Sequence, residues 1–226
     1  MPAATPYSQT LDRGIQVLEI LAEAEHPLTT AEIAAALGVH RSIVYRILRT
    51  LEDHRLVSRE NGAYAPGIGL ATLARGVSKD LHTAALPELA AVANELGMTC
   101  FVVVPDGEEC ITLLSVEPRQ SVAVVAQRPG TRHSINAGAP GLALLAGMPA
   151  KPGERPEVGE ARLRGYASTR GEVLPGMASV AVPIVSGTRG TVAAIAVVHT
   201  TGVETDEPAI AARLQRAARA VAAELP

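Results

Sequence analysis

The chain has 226 residues, a formal net charge of -3 and a pI of about 6.1, so it is long enough for two domains of ordinary size and is no polycation. Any contact with nucleic acid must then come from a local patch. Cys100 and Cys110 form no CxxC pair and stand in apolar, strand-like surroundings, which argues against a disulfide or metal framework, and no apolar run approaches the roughly 18 residues of a membrane helix.

Residues 1–7 carry no Lys or Arg and read as an inert arm, without the basic segment of a secretion signal. With two reduced cysteines this predicts a cytoplasmic protein. Ile15, Leu18, Ile20 and Leu21 fall at helical spacings over residues 11–24, with Pro27 beyond. Thr29 and Glu32 then stand at capping-box spacing, so a helix is predicted to begin near Thr30, to bury Ile33 and Leu37, and to stop at Gly38. A second helix is predicted from about His40, with Ile43, Ile47, Leu48 and Leu51 on its apolar stripe.

The other face of that helix carries Ser42, Tyr45, Arg46 and Arg49, with Arg41 beside them at its amino-terminal end. Between residues 40 and 59, Arg41, Arg46, Arg49, Arg55 and Arg59 stand against Glu52 and Asp53 alone, so the positive charge of a slightly acidic chain is concentrated here. Guanidinium groups can grip phosphate or the O6/N7 edge of guanine, and a hydroxyl and a phenol ring can touch bases. Residues 56–59 and 63–65 read as two short strands about Asn61-Gly62, the dipeptide most prone to tight hairpins, which makes a wing with Arg59 near its tip. The plain alternative is a helical pair with solvated arginines. Against it stands the order of capping box, glycine turn, basic helix and hairpin. Ser42, Tyr45, Arg46 and Arg49 form the expected base-reading stripe, and Arg41 and Arg59 are assigned to phosphate.

Pro66-Gly67 opens a further helical stretch through Leu70, Leu73 and Val77, a linker helix whose apolar stripe lacks a partner in its own sequence neighbourhood. Helix resumes from Leu86 through Leu96 to Gly97. Residues 99–104, 110–116, 122–126, 178–185 and 191–200 read as strands, and helices are predicted over 142–146, entered through Gly138-Ala139-Pro140-Gly141, and over 208–225. The fold class is α+β, with a five- or six-stranded antiparallel sheet in the second domain. The boundaries expected are 1–66 for a winged helix-turn-helix, 67–82 for the linker and 83–226 for the larger domain.

Catalytic patterns are scarce. No HExxH, GxSxG or GxxxxGK[ST] occurs, and His133 and Ser134, adjacent on an extended segment, point to opposite faces. The expectation is a protein that is not an enzyme and carries no metal or cofactor.

On these residues the chain resembles the IclR family of bacterial transcriptional regulators. In the first domain LDRGIQVLEIL, TTAEIAAALGVHRSIVYRILRTLEDHRLV and AYAPGIGLATLA are similar to the family's winged-helix pattern, and in the second GTRHSINAGAPGLALLA, RGYASTRGEVLPGMASVAVPI and GTVAAIAVVHTTG are similar to its effector-domain blocks. The resemblance implies a GAF-like domain that binds a small organic effector, a homodimer that can pair again into a tetramer, and an operator of double-stranded DNA. It assigns the effector site to Val122, Val125, Asn136, Ala139, Pro140, Gly141, Leu142, Thr169, Ser179, Ala196 and Val198. Asn136 stands where a histidine is common and Leu142 where a lysine is usual, and Thr169, Ala196 and Val198 replace polar or acidic residues. The pocket is therefore expected to suit a bulkier or more apolar ligand than a small keto acid, since burying a carboxylate without donors is costly. With so few polar anchors, a ligand-free dimerisation platform stays open as the alternative.

Overall fold

The computed structural model, which describes residues 8–74, 78–120 and 127–226, begins with helix α1, Gln9–Glu23, behind Ser8, whose hydroxyl accepts the Leu11 amide at 3.4 Å. The chain divides into two compact units, Met1–Val77 and Ser78–Pro226. In the first, α2 (Thr30–Leu37) starts with the predicted capping box: Thr29 Oγ1 accepts the Glu32 amide at 3.3 Å and the Glu32 carboxylate accepts the Thr29 amide at 2.7 Å. Gly38, at φ 64, ends it in the left-handed conformation that a side chain would strain. Helix α3 (Arg41–Asp53) follows.

The end of α3 carries a reversal that sequence reasoning passed over. Arg55, at φ 60, takes the left-handed position usually given to glycine, and the Arg55 and Leu56 amides close back on the Glu52 and Leu51 carbonyls, both at 2.8 Å. The wing then forms from β2 (Val57–Glu60) and β3 (Ala63–Pro66), with Asn61 at φ 51 and Gly62 at φ 83 supplying the two positive φ values of a tight hairpin turn. A two-residue strand not predicted from sequence, β1 (Leu28–Thr29), pairs with β3 and gives the order β1-β3-β2. Val17, Leu21, Ile33, Val44, Ile47, Leu48, Val57 and Tyr64 make the core of this unit.

Gly67 and Gly69 are required by close approach. A Cβ on Gly67 would lie 2.3 Å from the Arg55 carbonyl oxygen and one on Gly69 2.6 Å from it, while their amides donate to the Leu56 and Arg55 carbonyls at 2.9 and 2.8 Å. They tie the wing exit to the end of α3 and lead into α4, a short helix at Gly69–Ala74 with no buried residue. Val77, the last residue of the predicted linker stripe, lies outside the described residues. The next helix, α5 (Lys79–Leu96), begins ahead of the Leu86 at which periodicity placed it. Pro87 sits inside α5 at an exposed position, and Leu81 and Ala85 extend the buried stripe of Leu89 and Val92 backward.

In the second unit the strands are β4 (Thr99–Asp106), β5 (Glu109–Val116), β6 (Arg132–Ser134), β7 (Ala167–Arg170), β8 (Met177–Ser186) and β9 (Gly190–Thr200). They form a six-stranded sheet in the order β6-β5-β4-β9-β8-β7, antiparallel throughout. The predicted run at 122–126 lies outside the described residues. Three helices join α5 here: α6 (Gly138–Gly147), α7 (Pro156–Arg164) and α8 (Glu207–Ala223). Gly138 through Gly141, expected as a lead-in to α6, are its first turn. β6, β7 and α7 were not predicted; α7 buries only Val158 and Ala161, too sparse a stripe to show periodicity.

Both faces of the sheet are covered, which is why its strands read as nearly continuous apolar runs. Val102, Val182, Ile195 and Val197 turn toward α5 and α8, where Leu89 and Leu214 complete one core. Phe101, Val103, Ala181, Ala194 and Ala196 turn toward α6 and α7 and pack on Leu142 and Leu144. Each fully buried leucine of this kind contributes about 1.5–3 kcal/mol. The alanines on the second face let α6 lie close to the sheet. Among the described residues no helix is long and apolar enough to cross a membrane.

Candidate functional site

In the first unit α3 separates its residues cleanly. Val44, Ile47 and Leu48 enter the core, while Arg41, Ser42, Tyr45, Arg46 and Arg49 are exposed, Tyr45 by 52%. The helix is capped by His40, whose Nδ1 accepts the Ser42 amide at 3.3 Å and lies 2.9 Å from the Ser42 hydroxyl. That geometry needs an unprotonated Nδ1. No acidic residue occupies the first turn of α3, so the positive pole of the helix is not neutralised from within. On the wing, the Arg59 guanidinium lies 5.5 Å from the ring centroid of Tyr64, its partner across the hairpin, which holds it over the ring while leaving its N–H edge free to donate.

The ion pairs sharpen the picture. Among the described residues, every one joins groups of the second unit: Arg132 with Asp106 and Glu109, Arg155 with Glu157 and Glu172, Arg162 with Glu154, Arg164 with Glu160, Arg170 with Glu207, and Arg213 with Glu88 and Glu95. Among the described residues the guanidinium groups of α3 and the wing therefore form no ion pair. A cationic, exposed helix face beside a wing is suited to a polyanion.

The second unit holds a cavity of about 230 Å³ on the α6 side of the sheet. Phe101, Met177 and Val198 give it an apolar floor, Ser179 and Thr169 supply hydroxyls, and Glu172, Val173 and Leu174 of the β7–β8 loop close one side. At the start of α6, Ala137 provides no side-chain cap, and two of the helix's free amides are satisfied from elsewhere. Gly138 N–H donates to Glu172 Oε2 at 2.6 Å, and Ala139 N–H donates to Thr169 Oγ1 at 2.9 Å, which lies 3.3 Å from Ser179 Oγ. The other Glu172 oxygen accepts from Arg155 Nη2 at 2.6 Å. Gly138, at φ 75, has its missing side chain replaced by Val173: a Cβ there would come within 2.7 Å of the valine methyl.

His133 also lines the cavity, with the Cys110 sulfur 3.3 Å from either ring nitrogen. Burial, followed by the negative charge of Glu109, pushes the Cys110 thiol up to about 12, so at neutral pH it is no thiolate nucleophile. Among the described residues no group of three or more His, Cys, Asp and Glu is placed to hold a metal ion.

Of the residues assigned to an effector site by resemblance, Pro140, Thr169, Ser179 and Val198 are on the cavity wall, and Ala139 reaches it through its amide. Leu142 and Ala196 are buried in the core behind it, and Gly141 is held against the Ile135 carbonyl, which a Cβ would meet at 2.3 Å. The Asn136 carbonyl accepts from Arg155 Nη1 at 2.7 Å. Val122 and Val125 lie outside the described residues. Glu172, Phe101 and His133 were missed: a carboxylate in a glycine-bounded loop carries no local mark of its partner in a distant helix.

Comparison with known proteins agrees with the geometry. The IclR helix-turn-helix domain model matches residues 10–61, and the bacterial transcriptional regulator IclR C-terminal model matches residues 154–223. The probable transcriptional regulator SauR of Cupriavidus necator is 30% identical over 211 residues, spanning 82% of this chain and 83% of that protein. The crystal structure of an IclR transcriptional regulator from Alicyclobacillus acidocaldarius is similar with a TM-score of 0.81 at 28% identity, covering 97% of this chain and 99% of that one. An IclR homolog from Microbacterium hydrocarbonoxydans, crystallised with 4-hydroxybenzoate, shares the fold with a TM-score of 0.83 at 23% identity, covering 96% and 99% of the two chains. With both family models matched in chain order and a relative aligned across both units, the chain belongs to the IclR family of DNA-binding bacterial transcriptional regulators.

Proposed function

We propose that this regulator reads an operator through α3 and its wing, with an affinity set by a small organic effector in the cavity of the second unit. Arg46 and Arg49, with Ser42 and Tyr45, address base edges; Arg41 and Arg59 hold phosphate and fix register. The observation that carries this reading is the exposed cationic face of α3, three arginines on one helix beside a wing with no ion pair among the described residues, placed where the glycine turn and hairpin of a winged helix-turn-helix set it. In this scheme residues 1–66 bind DNA, 67–82 couple the parts, and 83–226 bind effector and associate.

The effector half is supported by the cavity, with its apolar floor and few convergent polar groups, and by the 4-hydroxybenzoate held by the Microbacterium homolog. An effector changes operator affinity only by binding the DNA-competent and incompetent states unequally. Association as a homodimer, with pairing into a tetramer on DNA, is supported by Ile68 and Leu73, exposed by 77% and 66% beside and on α4. Two reading helices then meet half-sites roughly 34 Å apart, about one turn of DNA.

Fluorescence anisotropy against DNA from upstream of the protein's own coding sequence tests the reading face. Arg46→Ala is expected to weaken binding by about 1–3 kcal/mol, roughly five- to 160-fold, at fixed salt. Wild-type affinity in that variant would remove Arg46 from the interface.

A further inference from the structure

We infer that Glu172 is a specificity-determining residue that makes the effector cavity select an uncharged, hydrogen-bonding molecule over a carboxylate. The inference rests on the cavity being the effector site and adds the chemical class of its occupant.

A bound carboxylate needs a cation or several free N–H donors. At the start of α6 these have been spent within the chain. Gly138 N–H is held by Glu172 Oε2, Ala139 N–H by Thr169 Oγ1, and Pro140 has no N–H to offer. The cations nearby already face two carboxylates each, although Arg132 meets both of its own through one guanidinium nitrogen. Arg155 donates to Glu172 at 2.6 Å and to Glu157 at 3.2 Å, and Arg132, on the cavity wall, gives its Nη1 to Asp106 at 2.9 Å and Glu109 at 3.0 Å. An entering carboxylate would thus lie beside Glu172 with like charge, or would have to expel it from two short charge-assisted hydrogen bonds.

What remains favours a neutral guest. The Ser179 and Thr169 hydroxyls are 3.3 Å apart on the wall and can donate or accept. Gln127 offers an amide whose nitrogen is directed to Thr112 Oγ1 at 2.8 Å, leaving its carbonyl as an acceptor toward a ligand N–H or O–H. Phe101, Met177 and Val198 supply apolar surface for the body of the molecule. The β7–β8 loop that carries Glu172 is bounded by Gly171 at φ 67 and Gly176 at φ 77, and the Gly171 amide closes on the Met177 carbonyl at 2.7 Å, so the carboxylate is presented from a pinned turn.

The test is isothermal titration and thermal shift of the full chain with matched amide and acid pairs: 4-hydroxybenzamide and 4-hydroxybenzoate, phenylacetamide and phenylacetate, butyramide and butyrate. In wild type the amide of a binding pair should bind at least tenfold more tightly than its acid. Glu172→Gln keeps an acceptor for Gly138 N–H but removes the charge and frees Arg155, so it should raise acid affinity at least tenfold and narrow or reverse the ratio. Acid binding as tight as amide binding in wild type overturns the inference, as does an unchanged ratio in folded Glu172→Gln. If that variant does not fold, the wild-type ratio decides alone. Absence of binding by every probe to either protein removes the effector reading of the cavity, and this inference with it, whereas binding of acids in preference to amides removes only the inference.

Discussion

The two units handle charge in opposite ways. In the first, Arg41, Arg46 and Arg49 project from α3 with no carboxylate opposite them among the described residues, and the helix's positive pole is left without an acid. In the second, six of the eleven arginines take part in nine ion pairs among the described residues, and the buried start of α6 is already capped by a carboxylate from a neighbouring loop. An unpaired exposed cation keeps its interaction in reserve for a partner, whereas a pair formed inside the chain holds local geometry and rejects a competing charge. The same residue type is thus proposed for recognition on α3 and serves local structure at the paired positions of the second unit. Exposed arginines such as Arg216 and Arg219, which are in no ion pair among the described residues, belong to neither group, so clustering on one helix face as well as pairing tells the roles apart.

The largest effect that would sharpen this contrast comes from structure in the second unit. Gly141→Ala drives a Cβ to 2.3 Å from the Ile135 carbonyl oxygen, a backbone atom that cannot swing aside. A loss of about 3 kcal/mol is expected in urea denaturation, from overpacking against fixed backbone. Wild-type stability would mean that the α6 start is looser than its contacts imply.

A smaller effect is expected at the capping box of the first unit. Thr29→Ala removes the acceptor for the Glu32 amide and should destabilise α2 by about 1 kcal/mol, read by amide exchange at Ile33 and Ala34. The smallest concerns acid. Hydrogen bonds from the Thr29 hydroxyl and then the Thr29 amide hold the Glu32 carboxyl below its ordinary 4.5. A carboxyl whose folded pKa is depressed stabilises fully above its unfolded value, and that contribution is lost as pH falls through the folded value. Thr29→Ala should therefore flatten the acid limb of the stability curve of the first unit. An identical acid limb in both proteins would place the acid sensitivity elsewhere.

Local signals were legible in the sequence wherever physics is local. Thr29 with Glu32, Gly38 and Asn61-Gly62 each specify their geometry within a few residues and are found as read. The α3 stripe is found in part: Ile47 and Leu48 are buried as expected, Ile43 and Leu51 only half so, and Val44, outside the expected stripe, is fully buried. The features passed over have partners far along the chain or break a familiar pattern. His40 caps α3 although histidine is outside the usual set of caps, and Arg55 takes a position that commonly falls to glycine. The first turns of α5, ahead of Leu86, were passed over too, where only Leu81 and Ala85 are buried. At the cavity, Pro140, Thr169, Ser179 and Val198 could be named because resemblance to a family carries spatial information that a single sequence does not. Glu172 lies 34 residues from Gly138, and nothing in either segment alone announces their hydrogen bond.

The contrast between free and committed arginines is tested most directly by the salt dependence of operator binding. Log affinity should fall linearly with log salt concentration in wild type, and Arg41→Ala should reduce the slope by about 1 as a phosphate contact is lost. Arg170→Ala, which removes a guanidinium paired with Glu207 at 2.8 Å, should leave the slope as it is. An unchanged slope in Arg41→Ala, or an equal reduction in Arg170→Ala, would contradict the account.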